Sequence, residues 1–335
     1  MTHKRDHIES LLDLFPQAAS KTLAEIARRD EPLLWDSVEQ ARTYIRRMRG
    51  VQGKRNRKVS TNKRHYRALK QPGDPFGKLP EGRTEFDDWG SVQFDGPRRV
   101  LIVGDIHCPY HDQGALTLAL NYGRDHGADT VLLNGDVLDC YAVSSWQKDP
   151  RERDFGGELA ACRDMLSAIR SGFPDALIVY KIGNHEERLE RYYYCKAPEL
   201  LGVAEFELSA LLRFKDNDIR CVGEMRPIRL GRLNVVHGHE YRFAVSNPVN
   251  PGRGTFLRAF ANTVCGHFHQ RSMHSERSLE GKVISCWSHG CLCDLHPAYR
   301  PLNKWSHGFA FVEIAADGAF GGVENMLIKV GVIYR

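Results

Sequence analysis

The feature that most constrains the fold is a run of four apolar residues, Val100–Val103, which ends at Gly104 and is followed at once by Asp105 and His107. A continuous apolar run of this length is typical of a strand buried in a parallel sheet. Because open α/β sheets bind ligands at the carboxyl ends of their strands, the pattern predicts a carboxylate and an imidazole at a binding edge. One such pair is a weak signal, since Asp and His are common in loops.

The same pattern recurs four times downstream, so that five predicted strands end in residues able to bind a metal. The later strands and their polar ends are Val131–Leu133 before Gly135, Asp136 and Asp139, Ala176–Ile182 before Asn184 and His185, Leu233–Val236 before His237, and Thr263–Cys265 before His267 and His269. Helices predicted at Gly114–His126 and at residues 157–171 separate the first three strands. Strands that alternate with helices in this way are typical of right-handed βαβ units.

The C-terminal part of the chain is predicted to continue a second sheet, with strands at Val283–Cys286, Phe309–Ile314 and Met326–Tyr334. The segment Cys286–Cys293 contains three cysteines and His289, so a separate zinc site is an alternative there. Its spacing fits no paired Cys-x-x-Cys pattern. We therefore interpret the segment as part of the sheet.

The five motifs are Asp-x-His, Gly-Asp-x-x-Asp, Gly-Asn-His-Glu, His-Gly-His and Gly-His-x-His. Over about residues 98–335, their order and approximate spacing resemble those of the calcineurin-like metallophosphoesterases. The resemblance implies an α/β fold, a four-layer αββα sandwich, to which the N-terminal segment adds a small all-α domain. We expect a basic helical domain over residues 1–70, a linker over 71–96 and a catalytic domain over 97–335.

The resemblance also implies seven metal ligands. One ion would be held by Asp105, His107 and His269, the other by Asn184, His237 and His267, and Asp136 would bridge the two. Carboxylate, imidazole and amide ligands suit manganese, iron or zinc better than magnesium or calcium alone. We therefore expect two divalent metal ions as cofactors, with manganese as the first choice.

Metal ions in this arrangement imply hydrolysis of a phosphoester. Two divalent cations about 3.5–4 Å apart clamp a phosphoryl group and deprotonate a bridging water, whose hydroxide attacks phosphorus in line. In the family pattern His185 binds no metal and would act as general acid on the leaving oxygen. Asp139 would orient His185 and stabilise its charged form. Nearby, Asp112 is expected to cap a helix and Glu186 to start one without a chemical role, while His239 either contacts substrate or packs locally.

The N-terminal segment is basic, unlike the rest of the chain. Residues 1–70 carry 17 of the 47 Lys and Arg residues but only 8 of the 42 Asp and Glu residues. Three short helices are predicted at 6–14, 23–29 and 35–48, followed by a basic stretch at 52–70. The helices resemble a helix-turn-helix that binds nucleic acid, and the basic stretch could bind phosphates. A bundle for protein contacts, a solvated appendage and a flexible tether are the alternatives.

Composition indicates the cellular compartment in which the protein is expected. No apolar run approaches 18 residues and the N-terminus lacks an apolar stretch, so neither a membrane span nor secretion is expected. The nine cysteines are odd in number, unevenly spaced, and all lie between Cys108 and Cys293. We interpret them as reduced thiols of a cytoplasmic enzyme.

The leading hypothesis is a metal-dependent phosphoesterase that hydrolyses a phosphodiester in nucleic acid, as a phosphodiesterase or nuclease. Alternatives are a phosphodiesterase or pyrophosphatase acting on small nucleotides, and a Ser/Thr protein phosphatase, which is disfavoured because Asp139 is followed by Cys-Tyr rather than Arg-Gly. A binding protein with a vestigial metal site is disfavoured by the complete ligand set. Arg188, Arg191 and Tyr192–Tyr194 form a cluster that either contacts nucleic acid or packs a helix on the sheet.

Overall fold

The computed structural model describes residues 2–49, 82–86, 88–146, 149–241 and 249–335. The chain divides into two compact units, Met1–Thr84 and Glu85–Arg335. The expected boundaries near residues 70 and 96 stay predictions, because the basic stretch 52–70 and the first part of the linker lie outside the described residues. Within the described ranges, no helix is long and apolar enough to cross a membrane. All nine cysteines are unbridged, as predicted.

Residues 2–49 of the first unit form three helices, α1 (Thr2–Leu14), α2 (Ser20–Asp30) and α3 (Val38–Met48). The helical spacing of their apolar residues builds one common core, whose buried members include Ile8, Leu23, Ala41 and Ile45. Trp35 is buried in the same core but precedes α3, so the predicted start of this helix at residue 35 is three residues early. The Ser37 hydroxyl accepts a hydrogen bond from the backbone N–H of Gln40 (3.1 Å) and caps α3. The three predicted helices are present, whereas their resemblance to a helix-turn-helix stays a prediction.

The second unit is built on two sheets. Its strands are β1 (Val92–Phe94), β2 (Arg98–Val103), β3 (Thr130–Asn134), β4 (Leu177–Lys181), β5 (Ile219–Val222), β6 (Ile228–Leu230), β7 (Leu233–Val235), β8 (Thr263–Cys265), β9 (Ser272–Arg277), β10 (Val283–Ser288), β11 (His307–Ile314), β12 (Phe320–Lys329) and β13 (Val332–Tyr334). One sheet has the order β13-β12-β11-β2-β3-β4-β5 and the other the order β1-β6-β7-β8-β10-β9.

Helices cover the outer faces of both sheets. They are α4 (Gln113–Asp125), α5 (Phe155–Gly172), α6 (Glu187–Lys196), α7 (Leu208–Leu211) and α8 (Pro251–Ala259). Along β2, Leu101 and Val103 belong to the core beneath α4 and α5, while Val100 and Ile102 belong to the core between the sheets. On the other sheet α8 packs closely enough that a Cβ added at Gly252 would lie 2.9 Å from the carbonyl oxygen of Cys286. The predicted four-layer sandwich is thus confirmed.

Strand register explains why the polar motifs meet. Strands β2, β3 and β4 are parallel neighbours, with Val103 opposite Leu133 and Leu133 opposite Tyr180. In the second sheet β7 and β8 are also parallel, with Val235 opposite Val264. Because each motif follows directly after its strand, the polar residues emerge along shared carboxyl edges.

One predicted strand is wrong in its extent. The segment Met326–Tyr334 is not a single strand, because β12 ends at Lys329 and β13 starts at Val332. Val330 and Gly331 between them have positive φ values of 50° and 71°, so the chain makes a tight turn and β13 pairs antiparallel with β12. A glycine in this left-handed region favours such a turn.

Candidate metal centre

The structure brings the seven residues predicted as ligands into one cluster. In its first half, Nε2 of His107 lies 3.2 Å from Nε2 of His269, which in turn lies 3.3 Å from Oδ1 of Asp105. Oδ2 of Asp136 lies 4.0 Å from Nε2 of His107. Four donor atoms therefore converge from β2, β3 and the segment after β8.

The second half of the cluster is centred on His237. Its Nε2 atom lies 3.2 Å from Oδ2 of Asp136 and 3.3 Å from Oδ1 of Asn184. The donor atoms of Asp136, His237 and His267 all lie within 4.8 Å of one another. Asp136 thus contacts both halves through the same carboxylate oxygen.

The backbone is strained where it delivers these side chains. Five of the seven residues have a left-handed backbone conformation, namely Asp105 (φ 50°), His107 (52°), Asp136 (51°), His267 (69°) and His269 (57°). Non-glycine residues rarely adopt this region, and each such residue costs about 1–3 kcal/mol. Strain of this kind persists only where the surrounding structure fixes it, and it is concentrated at functional sites. Here it turns the chain sharply after each strand and directs the side chain into the cluster.

Gly135 allows two of the strand ends to approach closely. Its φ is 81°, and a Cβ added there would lie 2.5 Å from Nδ1 of His237. Any larger residue would push the imidazole out of the cluster. The glycine of the Gly-Asp-x-x-Asp motif is therefore required by the packing of His237 as well as by the turn.

Hydrogen bonds at the far side of two imidazoles fix how they face the cluster. Nδ1 of His237 lies 2.8 Å from the carbonyl oxygen of Asn134, and Nδ1 of His107 lies 2.8 Å from Oδ1 of Asp139. Both partners are acceptors, so each Nδ1 carries the proton. In the neutral rings the Nε2 lone pairs then point into the cluster, which is the arrangement that a metal-binding histidine needs.

Carboxylates and imidazoles perturb one another strongly within this buried cluster. Burial alone would lower the pKa of His237, but the Asp136 carboxylate outweighs burial and raises the pKa to about 10. Asp105 likewise outweighs burial and raises the pKa of His269 to about 10. The same attraction overcomes burial to lower the pKa values of both carboxyls, whereas burial lowers the pKa of His267 to about 4. A bound cation would therefore have to displace protons from two imidazoles.

His185 and Asp139 lie at the side of the cluster. Nδ1 of His185 lies 3.0 Å from Oδ1 of Asp139 and 2.9 Å from the Asp139 carbonyl oxygen, and its Nε2 lies 3.8 Å from Oδ2 of Asp136. The structure thus places Asp139 against His185 as the sequence led us to expect. It also places the same carboxylate against His107, a contact that was not predicted.

Glu186 holds the cluster together, although the sequence led us to expect only a helix start there. Its buried carboxylate accepts hydrogen bonds from the backbone N–H groups of Asp136 (3.1 Å), Val137 (2.7 Å), Leu138 (3.1 Å) and Gly183 (2.8 Å) and from the Tyr180 hydroxyl (2.8 Å). The carboxylate therefore ties the ends of β3 and β4 together. Spacing could not signal this role, because backbone N–H groups occur at every residue.

Several neighbouring residues were predicted less completely. Asp112 caps α4 through a 2.7 Å hydrogen bond from the Ala115 N–H, as expected. His239 does not join the ligand cluster, since its Nε2 lies 3.0 Å from Oε1 of Glu187. In the cysteine-rich segment, Cys293 places its Sγ 3.8 Å from Nδ1 of His269. His289, considered only for the alternative zinc site, is fully buried, with its Nε2 3.1 Å from Nδ2 of Asn134.

Comparison with known proteins agrees with this geometry. The sequence model of the family described as calcineurin-like phosphoesterase matches residues 98–279. The chain belongs to this family. The match includes every residue predicted as a metal ligand, together with His185 and Asp139. Membership in the calcineurin-like phosphoesterase family, with a cluster of His and Asp side chains, indicates a phosphoester hydrolase that binds divalent metal.

Individual relatives are distant. The Gene 54 protein of Mycobacterium phage L5 is 24% identical over 230 residues, which cover 65% of this chain and 89% of that protein. Among solved structures, the chain is similar to Vacuolar Protein Sorting 29 from Cryptosporidium parvum, with a TM-score of 0.37, 15% identity and coverage of 72% of this chain and 96% of that chain. It is also similar to Yfce, a phosphoesterase from E. coli, with a TM-score of 0.31, 16% identity and coverage of 68% and 98%.

Proposed function

We propose that this calcineurin-like phosphoesterase is a dinuclear, metal-dependent phosphodiesterase that cleaves a phosphodiester in nucleic acid. The observation that carries the dinuclear part is Asp136, whose Oδ2 lies 3.2 Å from Nε2 of His237 in one half of the cluster and 4.0 Å from Nε2 of His107 in the other. A bridging ligand must lie close to the metal-binding atoms of both halves, and the Asp136 carboxylate does.

The residues of the cluster fit two divalent ions of the manganese, iron or zinc type. Asp105, His107 and His269 would hold one ion, Asn184, His237 and His267 the other, with Asp136 shared. The mixture of carboxylate, imidazole and amide oxygen suits these metals, and we propose manganese as the ion used. Such ions, when bound, neutralise phosphoryl charge and supply a deprotonated water at neutral pH.

His185 is proposed as the general acid. Asp139 holds the Nδ1 side of the ring, so Nε2 is the atom that can carry a proton to the leaving oxygen. The 3.8 Å separation between this Nε2 and Asp136 keeps the acid beside the metal centre. Because Asp139 contacts His107 as well, it would position a metal ligand and the acid together.

The nucleic-acid substrate is supported by charge. The N-terminal 70 residues carry 17 basic against 8 acidic residues, a surplus that would bind phosphates with release of counterions. The same surplus supports nucleic acid as the binding partner of this segment. We further propose a cytoplasmic location, because nine unbridged cysteines suit a reducing compartment.

A second candidate, a phosphodiesterase acting on small nucleotides, is favoured by one feature. A cavity of about 600 Å³ is lined partly by α6, the helix that follows His185, through Leu189, Tyr192 and Tyr193. This volume is within the range of small-molecule sites, and the phenol rings offer stacking surfaces.

A substrate panel with Mn²⁺ tests the proposal: bis-p-nitrophenyl phosphate, plasmid DNA, single-stranded DNA, RNA, cyclic nucleotides and a phosphopeptide. We expect turnover of the diester and of nucleic acid, lost in Asp136→Ala and in His185→Ala. Absence of turnover with any divalent metal would contradict the enzyme, and preference for cyclic nucleotides would favour the second candidate.

Deletion of residues 1–70 tests the proposed role of the basic segment. The truncated protein should bind nucleic acid more weakly and with a shallower dependence of affinity on salt. If affinity and salt dependence are unchanged, this segment does not bind nucleic acid.

A further inference from the structure

We propose that Arg188 forms an anion site beside the metal centre and binds a non-bridging oxygen of the substrate's phosphoryl group. The inference rests on the proposed phosphoesterase function. Arg188 lies in the first turn of α6, three residues after His185, and its side chain is 17% exposed. The guanidinium is therefore held mostly within the protein but remains accessible from solvent.

The guanidinium is positioned by two atoms of the candidate active site. Nη1 of Arg188 donates a 3.0 Å hydrogen bond to the carbonyl oxygen of Asp139, and Nη2 donates a 2.7 Å hydrogen bond to Nε2 of His185. Neither acceptor atom carries a formal negative charge. The ion pair with Oδ2 of Asp139, at 3.8 Å, is too long for a hydrogen bond. The positive charge of Arg188 is consequently fixed in place without a tight carboxylate partner.

Arg191, one turn further along α6, shows the contrast. Its guanidinium lies 2.6 Å from the Glu187 carboxylate, and its side chain is 63% exposed. Arg191 therefore forms an ordinary ion pair at the surface of the helix, whereas Arg188 faces His185 and Asp139. Of these two arginines, only Arg188 combines a location at the candidate active site with a charge free to bind an anion.

A phosphoryl group supplies the anionic acceptor that the Arg188 guanidinium lacks. The planar fork of arginine matches the oxygens of a phosphate, and charge-assisted hydrogen bonds are about twice as strong as neutral ones. An anionic oxygen would therefore replace Nε2 of His185 as the acceptor for Nη2. The exchange would leave Nε2 of His185 beside the bound ester. Because Nε2 carries no proton while it accepts from Arg188, it would have to take up a proton from water before acting as general acid. Arg188 would thus bind the substrate and leave Nε2 of His185 free to take up that proton.

Binding of inorganic phosphate to the manganese-loaded protein, measured by titration calorimetry, tests this site without catalysis. We expect Arg188→Met to weaken phosphate binding by about 10- to 100-fold, the range for loss of charged hydrogen bonds. Arg188→Lys should weaken binding by a smaller factor, because lysine keeps the charge but not the fork. Arg191→Met is the matched control on the same helix and should bind phosphate as tightly as the wild type.

Each outcome decides the matter. Undiminished phosphate binding by Arg188→Met overturns the site, and so does a fall in kcat alone for bis-p-nitrophenyl phosphate, which would leave Arg188 only a positioning role on His185. Absence of phosphate binding by the wild type also overturns it. If Arg188→Met does not fold, Arg188→Lys decides, and an unchanged affinity there counts against the fork. Arg188-dependent phosphate binding by a wild type that hydrolyses no ester would refute the proposed function and leave the anion site standing.

Discussion

Replacement of Glu186 by Gln tests how the strand ends that carry the metal centre are held together. The side chain is 3% exposed, so solvent does not substitute for a lost contact. Its Oε2 accepts hydrogen bonds from the backbone N–H groups of Asp136 (3.1 Å) and Gly183 (2.8 Å), and Oε1 accepts three more. Four of the five donors are backbone N–H groups, which cannot reverse their direction. The site therefore requires an ionised carboxylate.

The magnitude follows from counting the donors left without an acceptor. Glutamine keeps one oxygen and presents an NH₂ group in place of the other, so at least two backbone N–H groups would face a donor. Each buried donor left unpaired costs about 1–3 kcal/mol. We expect Glu186→Gln to lower the free energy of unfolding by about 2–6 kcal/mol. That loss is a large part of the total free energy of unfolding of a typical folded protein, which is roughly 5–15 kcal/mol.

Urea unfolding of the metal-free protein measures this loss, with Glu187→Gln as the matched control. The Glu187 carboxylate pairs only with side chains, those of His239 and the exposed Arg191, and glutamine keeps one oxygen that can accept from either. Its replacement should therefore cost less than that of Glu186, about 1–3 kcal/mol. Turnover of bis-p-nitrophenyl phosphate should also fall in Glu186→Gln, because Asp136 and Asn184 would separate. If both variants unfold at the same urea concentration, the carboxylate does not tie the strands and our reasoning is wrong.

Three further predictions concern protons, a buried ion pair and a metal ligand. Metal binding at pH 7 should release protons and become tighter as pH rises, because the pKa values of His237 and His269 are raised to about 10. The carboxylates of Asp136 and Asp105 cause this rise against the effect of burial. A binding enthalpy that does not change with the ionisation enthalpy of the buffer would contradict this prediction. Lys181→Met should lower the free energy of unfolding by about 3–5 kcal/mol, because the buried Glu240, 2.9 Å from the ammonium group, would lose its nearest cation and keep only hydrogen bonds from the His237 and Gly238 N–H groups. In the wild type, burial raises the pKa of Glu240, but Lys181 together with His239 and His237 outweighs it and lowers the pKa to about 2. This contribution should therefore be complete above pH 4.5 and lost as pH falls towards 2. Gly135→Ala should abolish metal binding in a folded protein, as judged by calorimetry and circular dichroism, because its Cβ would displace His237.

The sequence identifies the centre of the fold better than its edges. β2, β3 and β4 are predictable because buried parallel strands are continuous apolar runs bounded by helices with a clear period. β9 was not predicted, because its sequence Ser-Met-His-Ser-Glu-Arg has no apolar alternation and the strand lies at an exposed edge of its sheet. Its place depends on pairing with β10, a contact that local residue patterns do not encode.

The candidate site likewise has features that the sequence predicts and features that it does not. The side chains that converge were predictable because each follows directly after a strand, where position along the chain fixes position in space. The roles of Glu186 and Asp139 were incompletely predicted, because their partners come from other segments and include backbone atoms. The left-handed backbone at Asp105 and Asp136 was also beyond the sequence, since neither residue type signals such strain as glycine does.

The placement of β11 has a consequence for how this protein is divided in the laboratory. The family match stops at residue 279, yet β11 lies directly against β2 as its antiparallel neighbour, and β10 lies against β8. A fragment cut where recognisable similarity ends would strip both motif-bearing strands of a partner and leave bare edges prone to self-association. A fragment that folds on its own must therefore extend at least through the end of β11 at Ile314, although none of the proposed metal ligands lies beyond His269.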